Sequence, residues 1–372
     1  MKLRLLVALA TFALAAPAAA ATPVVDAPAY LVMNDANGEV LLARGAQDRL
    51  PIASITKLMT ALVTLDRAEP DEVVSVDPDA TGIRGSTIRL RVGEQLRVRD
   101  LLAAALIQSA NDAAVALAEH GGDGDGSSFV ALMNQRAQAL GLRDTRFIRA
   151  DGLDVAGHYS TALDVTRLAQ AAMREPLIRR LVREESATIT GGRTLHTWND
   201  LLGEFPGVYG VKTGHTTGAG WNQVAVARGN GVTIYATILG SPSRSVRNAD
   251  LEELLAWGMS RYAVVPLSPP GQVYGRVGVT YGAEAVPVVA ARPLRRAVRV
   301  GRPLVQQVVL RSQVDLPVRL GDVLGELRVY ERDRLIARTP LVASEERDEP
   351  SSVARVKWYA GRAARQIGGW FS

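Results

Sequence analysis

Ser54-Ile55-Thr56-Lys57 places a hydroxyl and an amine three residues apart. If Ser54 opens a helix, Lys57 lies one turn later on the same face, within reach of that hydroxyl. A serine hydroxyl is a poor nucleophile until a neighbouring base takes its proton. A serine at a helix N-terminus also has free backbone N–H groups beside it, which stabilise developing negative charge. The competing reading is a capping serine followed by a surface lysine. Cation usage weighs against it: of 43 basic side chains only Lys2, Lys57, Lys212 and Lys357 are lysines. Arginine stays charged, whereas a buried or crowded lysine can lose its proton.

Two further groups stand out. Ser109-Ala110-Asn111 breaks a run rich in alanine and leucine. It suggests a loop aiming two hydrogen-bonding side chains into a cleft; a plain helix–helix turn capped by Asn111 is the alternative. Lys212-Thr213-Gly214-His215 falls on an expected strand, which can offer backbone groups to an extended peptide. Gly214 allows close approach to that backbone, and Lys212 and Thr213 can hold a carboxylate or polarise the serine site. His215 invites a serine–histidine reading, but no sequence signature supplies the orienting carboxylate of a triad. His120, His158, His196 and His215 are far apart and show no ligand spacing, so no metal and no cofactor are expected. With no cysteine, disulfides and thiol chemistry are excluded.

These residues need a scaffold. A hairpin is expected from Tyr30 to Leu42, with Asn34, Asp35, Asn37 and Gly38 in the turn. Helices are expected at about 54–67, at 100–120 with a break near Ser109, at 128–140, and at 161–173 with Thr161 as cap. Strands follow at 208–213, 223–228 and 232–239, then a helix at 251–262. Strands at both ends with helices between predict an α/β layered domain. Pro266, Pro269, Pro270 and Gly271 read as a linker, followed by a small all-β domain with a hairpin around 331–334.

The order Ser-x-x-Lys, Ser-x-Asn, Lys-Thr-Gly, with both non-terminal lysines inside it, resembles the low-molecular-mass penicillin-binding proteins, D-alanyl-D-alanine carboxypeptidases of peptidase family S11. Arg84-Gly85-Ser86-Thr87, Gly152-Leu153-Asp154 with Ser160-Thr161-Ala162, and Leu254-Leu255-Ala256-Trp257-Gly258 extend the likeness along most of the chain. The resemblance implies a DD-peptidase/β-lactamase-like fold with a helical insertion. It implies Ser54 as nucleophile, Lys57 as its base, and Ser109 and Asn111 as proton relay and amide holder. Lys212 and Thr213, helped by Arg247, would bind a terminal carboxylate. The backbone N–H groups of Ser54 and His215 would form the oxyanion hole, with Gly214 between strand and substrate. Stem peptides ending in D-Ala-D-Ala and β-lactams are the implied ligands. One departure is Ala150-Asp151, where many relatives carry a histidine before the glycine. It is expected to alter the local loop without touching a catalytic group.

Three rivals share parts of this pattern. A class A β-lactamase needs a deacylating glutamate, and no glutamate between Ser109 and Lys212 has the Glu-x-x-Leu-Asn context. A cross-link endopeptidase would often lack the β domain and tail. A catalytically dead wall-binding or penicillin-sensing protein would not need intact Ser54, Lys57 and Lys212. Lys2 and Arg4, an apolar run to Leu14 and small residues to Ala21 read as an export signal over 1–21. The expected domains are then 22–264 (peptidase), 265–347 (β-rich) and 348–372, an amphipathic tail with Val353, Val356, Ala360, Ala363, Ile367, Trp370 and Phe371 on one stripe. That tail predicts a protein peripheral on the outer face of the cytoplasmic membrane, bound to an anionic lipid surface. The net charge of +5 comes without a nucleic-acid motif, so no nucleic-acid partner is expected.

Overall fold

The expected hairpin forms at the edge of an antiparallel sheet. In the computed structural model, which describes residues 5–13 and 21–368, it consists of β2 (Ala29–Asn34) and β3 (Val40–Arg44). A preceding strand, β1 (Leu5–Ala13), belongs elsewhere. The chain forms one unit over Ala20–Ser260 and a second over Arg261–Ser372 together with the N-terminal segment.

In the first unit the sheet order is β3-β2-β10-β9-β8, with β8 (Val208–Thr216), β9 (Gly220–Gly229) and β10 (Val232–Ser241). β2 is buried along its whole length, as a strand covered on both faces must be. Successive side chains point to opposite faces. Leu31 and Met33 join the main core with Leu58 and Leu62 of α1 (Lys57–Arg67) and Leu168 of α5 (Ala162–Ala172). Val32 and Ile234 meet α7 (Arg244–Ser260) so closely that a Cβ on Gly258 would lie 2.9 Å from each.

The remaining helices wrap α1: α2 (Val98–Leu106), α3 (Asn111–Gly121) and α4 (Gly126–Ala139). Thr161 caps α5 as expected, its hydroxyl accepting from the Asp164 N–H at 3.1 Å. A short α6 (Pro176–Leu181) and two small hairpins, β4–β5 (Val73–Ser75, Gln95–Arg97) and β6–β7 (Ser186–Thr188, Thr194–His196), complete the unit. α7 starts well before the expected 251. Ser243 caps it, accepting from the Val246 N–H, and this brings Arg247 onto the helix.

The second unit is all β apart from its tail helix. A seven-stranded sheet runs β1-β15-β17-β18-β13-β12-β16. Its strands after β1 are β12 (Val273–Val279), β13 (Val286–Ala290), β15 (Pro303–Arg311), β16 (Gln313–Val314), β17 (Val323–Glu331) and β18 (Arg334–Ala343). The expected hairpin at 331–334 joins β17 to β18. The expected linker needs correction: Pro266 lies inside β11 (Tyr262–Ser268), paired with β14 (Leu294–Arg299). Proline is tolerated there because this is a two-stranded ribbon with free edges. In the full-length chain β1, the apolar run read as an export signal, lines the edge of β15. A final helix, α8 (Ser352–Gly368), follows. Trp370 and Phe371 lie outside the described residues.

Candidate active site

Ser54 sits in a single 3-10 turn, Ala53–Thr56, that leads into α1. The turn is held from behind. Ala53 has φ +49°, and its carbonyl accepts from the Thr56 hydroxyl at 2.8 Å. The Ile148 N–H donates to His158 Nδ1 at 3.2 Å, which assigns the ring proton to Nε2 and its hydrogen bond to Thr56 Oγ1 at 2.8 Å. Burial pushes His158 down to about 4, so this chain stays neutral near pH 7. Gly152 is obligatory beneath the turn: its φ is +81°, and a Cβ there would lie 2.1 Å from the Ala53 oxygen.

Lys57 is fully buried. Its Nζ lies 2.8 Å from Ser54 Oγ, 2.6 Å from Asn111 Oδ1 and 2.7 Å from the Asp151 carbonyl oxygen. Burial lowers its pKa to about 7, against the opposing pull of the Asp151 and Asp112 carboxylates. The geometry suits a base. A neutral amine has two N–H donors, and two of its neighbours, Asn111 Oδ1 and the Asp151 carbonyl, can only accept. The lone pair is left facing the Ser54 hydroxyl.

Ser109 occupies the expected break between α2 and α3 in a left-handed conformation, φ +64°. Lys212 of β8, 2% exposed, donates to Ser109 Oγ at 2.9 Å and to the Thr213 carbonyl at 3.0 Å. Burial, with the Lys57 and Arg247 charges, pushes the Lys212 amine well below its usual range. β8 passes so close to the serine turn that a Cβ on Gly214 would lie 2.7 Å from the Ile52 oxygen and 3.0 Å from the Ser54 nitrogen. Any side chain at 214 would drive the strand away from Ser54.

Ser54, Ser109, Asn111, Thr213, Gly214, His215 and Arg247 therefore line one cleft of about 290 Å³, with Lys57 and Lys212 buried behind Ser54 and Ser109. His215 makes no hydrogen bond to Ser54 or to a carboxylate among the described residues. It stacks on Trp221, ring centroids 3.9 Å apart. Asn111 lines the cleft while its side-chain amide also braces the site, leaving one N–H of Nδ2 uncommitted. Oδ1 accepts from Lys57 and Nδ2 donates to the Arg84 carbonyl at 2.6 Å.

Asp151 needs a correction. It was expected to touch no catalytic group, yet its carbonyl receives the Lys57 amine. Its buried carboxylate takes both arms of Arg149, at 2.8 and 2.7 Å, and the Leu153 N–H at 3.1 Å. Burial alone would raise its pKa, but these donors hold it below the usual carboxylate range. Sequence reasoning also missed the cleft's outer wall. The Trp198 indole N–H donates to the Gln108 carbonyl at 3.0 Å, and Arg244 lies over its ring. Asp200 gathers Arg244, Arg247 and Asn248. Burial lowers Arg247 only to about 10, so it remains a cation. Of these only Arg247 was expected; Trp198, Asp200 and Arg244 belong to no motif, and the wall forms because the 198–200 loop meets the first turn of α7.

A buried amine of lowered pKa facing a serine hydroxyl defines the class, a serine acyl-transfer hydrolase. Residues 16–243 match the family model for D-alanyl-D-alanine carboxypeptidase, and residues 262–349 match that for the penicillin-binding protein 5 C-terminal domain. The chain belongs to the D-alanyl-D-alanine carboxypeptidase family, peptidase S11, and is a serine-type D-Ala-D-Ala carboxypeptidase. It is 33% identical to D-alanyl-D-alanine carboxypeptidase DacD of Salmonella typhimurium, over 96% of this chain and 98% of that protein. It is 32% identical to DacC of Escherichia coli, over 97% and 94%. Among solved structures, penicillin-binding protein 5 of Haemophilus influenzae matches 89% of this chain and 100% of its own, at 27% identity and a TM-score of 0.65. Penicillin-binding protein D2 of Listeria monocytogenes, in its ampicillin-bound form, matches 64% of this chain at 32% identity and a TM-score of 0.57.

Proposed function

We propose that this enzyme removes the terminal D-alanine from peptidoglycan stem peptides ending in D-Ala-D-Ala, through an acyl-enzyme on Ser54. The observation that carries the reading is the fully buried Lys57 amine 2.8 Å from Ser54 Oγ. Lys57 takes the hydroxyl proton, and Ser54 Oγ attacks the carbonyl of the penultimate D-alanine. The backbone N–H groups of Ser54 and His215 receive the oxyanion. The C–N bond breaks, the proton passes by way of Ser109 to the departing amine, and water then hydrolyses the ester. Lys212, sealed behind Ser109, sets the electrostatics of that relay. Thr213 and Arg247, which reach the cleft, hold the substrate carboxylate.

Carboxylate anchoring is testable. Thr213→Val and Arg247→Ala should each lower kcat/KM on free-acid peptides by roughly tenfold or more, the scale of a charge-assisted hydrogen bond. Wild type should cut amidated peptides poorly. Asp200 keeps Arg244 and Asn248 when Arg247 is removed, so the wall should survive. Equal cleavage of free and amidated peptides would favour a cross-link endopeptidase.

The base is expected to show in a pH profile. Penicillin acylation should rise through pH 7 as Lys57 loses its proton. The Asp151 carboxylate stabilises the ammonium form, so Asp151→Asn should lower the Lys57 pKa and move this limb to lower pH. A limb that stays put or moves up would remove Asp151 from the electrostatics of the base.

We read residues 1–21 as an export signal and place the enzyme in the periplasm, peripheral on the inner membrane. No helix among the described residues is long and apolar enough to cross a membrane. Trp358 and Tyr359 of α8 meet Tyr281 of the β domain edge-on, at 5.3 and 6.0 Å, while Val353 and Val356 remain about two-thirds exposed beside Arg355 and Lys357. An apolar stripe left open beside basic residues supports lipid-surface binding. Truncation after Glu349 should abolish co-sedimentation with anionic vesicles and leave D-alanine release from a soluble peptide intact. Equal sedimentation of both forms would sink the anchor.

A further inference from the structure

At the end of the main sheet away from the cleft, a second concavity of about 430 Å³ opens between β8–β10 and the segment joining α5 to α6. The strand register puts it there: His215 pairs with Trp221 at the cleft end, whereas Tyr209, Arg228 and Tyr235 lie toward the other end of their strands. Four arginines converge on it, Arg174, Arg179, Arg183 and Arg228. We propose that this pocket is a binding site for a phosphate-bearing ligand, built from the four guanidinium groups and the Tyr235 hydroxyl.

Three observations support it. First, the arginines are uncommitted. Elsewhere in this unit Arg149, Arg193, Arg244 and Arg247 are each ion-paired with a carboxylate. Among the described residues none of the four pocket arginines has an acidic partner. Arg179 donates only to the Met173 carbonyl at 3.1 Å, and Arg183 lies over the Tyr209 ring at 4.7 Å. Second, only one carboxylate lines the pocket, Asp35, which accepts from the Gln170 amide at 2.9 Å, so four positive charges face one negative charge. Third, Tyr235 is only 3% exposed and lines the pocket, yet its hydroxyl has no hydrogen-bond partner among the described residues. That hydroxyl is not sealed from solvent, so a ligand oxygen in the pocket can meet it.

The chemistry selects the ligand. One guanidinium fork satisfies one carboxylate, so four forks against a single acid suit a group with two or more negative charges and several acceptor oxygens. A phosphate monoester or a diphosphate has both, and accepts from a phenol as well. The pocket is separate from the serine site, so the two readings stand or fall apart.

The test is calorimetric titration of the full chain with inorganic pyrophosphate and with glycerol phosphate at about 0.15 M ionic strength, where charges beyond about 8 Å are screened. Wild type should bind one equivalent saturably. Arg174→Gln/Arg228→Gln, both on exposed side chains, should weaken binding at least tenfold, and Tyr235→Phe should weaken it measurably. Penicillin acylation should be unchanged in both variants, which shows that they are folded. Arg295→Gln/Arg296→Gln on the β domain removes the same charge and should bind as wild type. Co-sedimentation with phosphatidylglycerol vesicles separates the sources. Reduced sedimentation of Arg174→Gln/Arg228→Gln assigns a lipid headgroup, and unchanged sedimentation assigns a soluble phosphate. No saturable binding of either anion, or equal weakening in the β-domain control, would overturn the proposal.

Discussion

Ser54→Ala should take no penicillin label and release no D-alanine. Intact mass spectrometry of wild type should show one β-lactam per chain, located on the peptide containing Ser54. Losing the nucleophile of a serine hydrolase costs on the order of 10⁶ in kcat, so the residual rate should sit at background. The variant should also be well folded. Ser54 is half-buried, and in its absence Lys57 keeps Asn111 and the Asp151 carbonyl at 2.6 and 2.7 Å. A thermal melt close to wild type, with no label, is the expected pair of results. Label on Ser109, or full labelling of Ser54→Ala, would remove Ser54 from the mechanism.

Lys57→Arg should slow acylation by about 10²- to 10⁴-fold, the range for losing a general base. The substitution keeps the positive charge, and that is its purpose. If Lys57 merely supplied charge beside Ser54, arginine would serve. If it must accept a proton, arginine cannot, because its guanidinium stays charged across the accessible pH range. Raising the pH should therefore fail to rescue Lys57→Arg, while wild type gains rate through pH 7. The guanidinium is also larger than the amine it replaces in a fully buried site. Lys57→Met, neutral and of similar length, supplies a second variant that folds without a buried charge and should be equally slow. Near-normal acylation by either would make Lys57 a structural residue.

The legible part of this protein is local. Ser54 and Lys57 are one turn apart, so sequence spacing translates directly into the 2.8 Å contact. The Ser109 break was visible because polar residues interrupt an apolar run, and the backbone does turn there, with a left-handed Ser109. The hairpin at β2–β3 and the Thr161 cap likewise rest on residues a few positions apart. Errors arose where a local cue had a different tertiary outcome. Pro266 marked a linker and instead lies in a two-stranded ribbon. The polar first turns of α7 hid a helix start that Ser243 caps.

Residue types and their spacing paired Ser54 with Lys57, set the chain order of the three motifs and marked the division into an α/β part and a β-rich part. Tertiary structure alone decided how the base is tuned and how the cleft is walled. Asp151 reaches Lys57 across 94 positions, and Asp200 meets Arg247 across 47. Lys212 finds Ser109 only because β8 lies against the serine turn, where Gly214 leaves no room for a side chain. Periodicity reports which face of an element is apolar, not which distant element will cover it. The burial that lowers the Lys57 pKa to about 7 is a sum over all those distant neighbours, so no short stretch of sequence contains it.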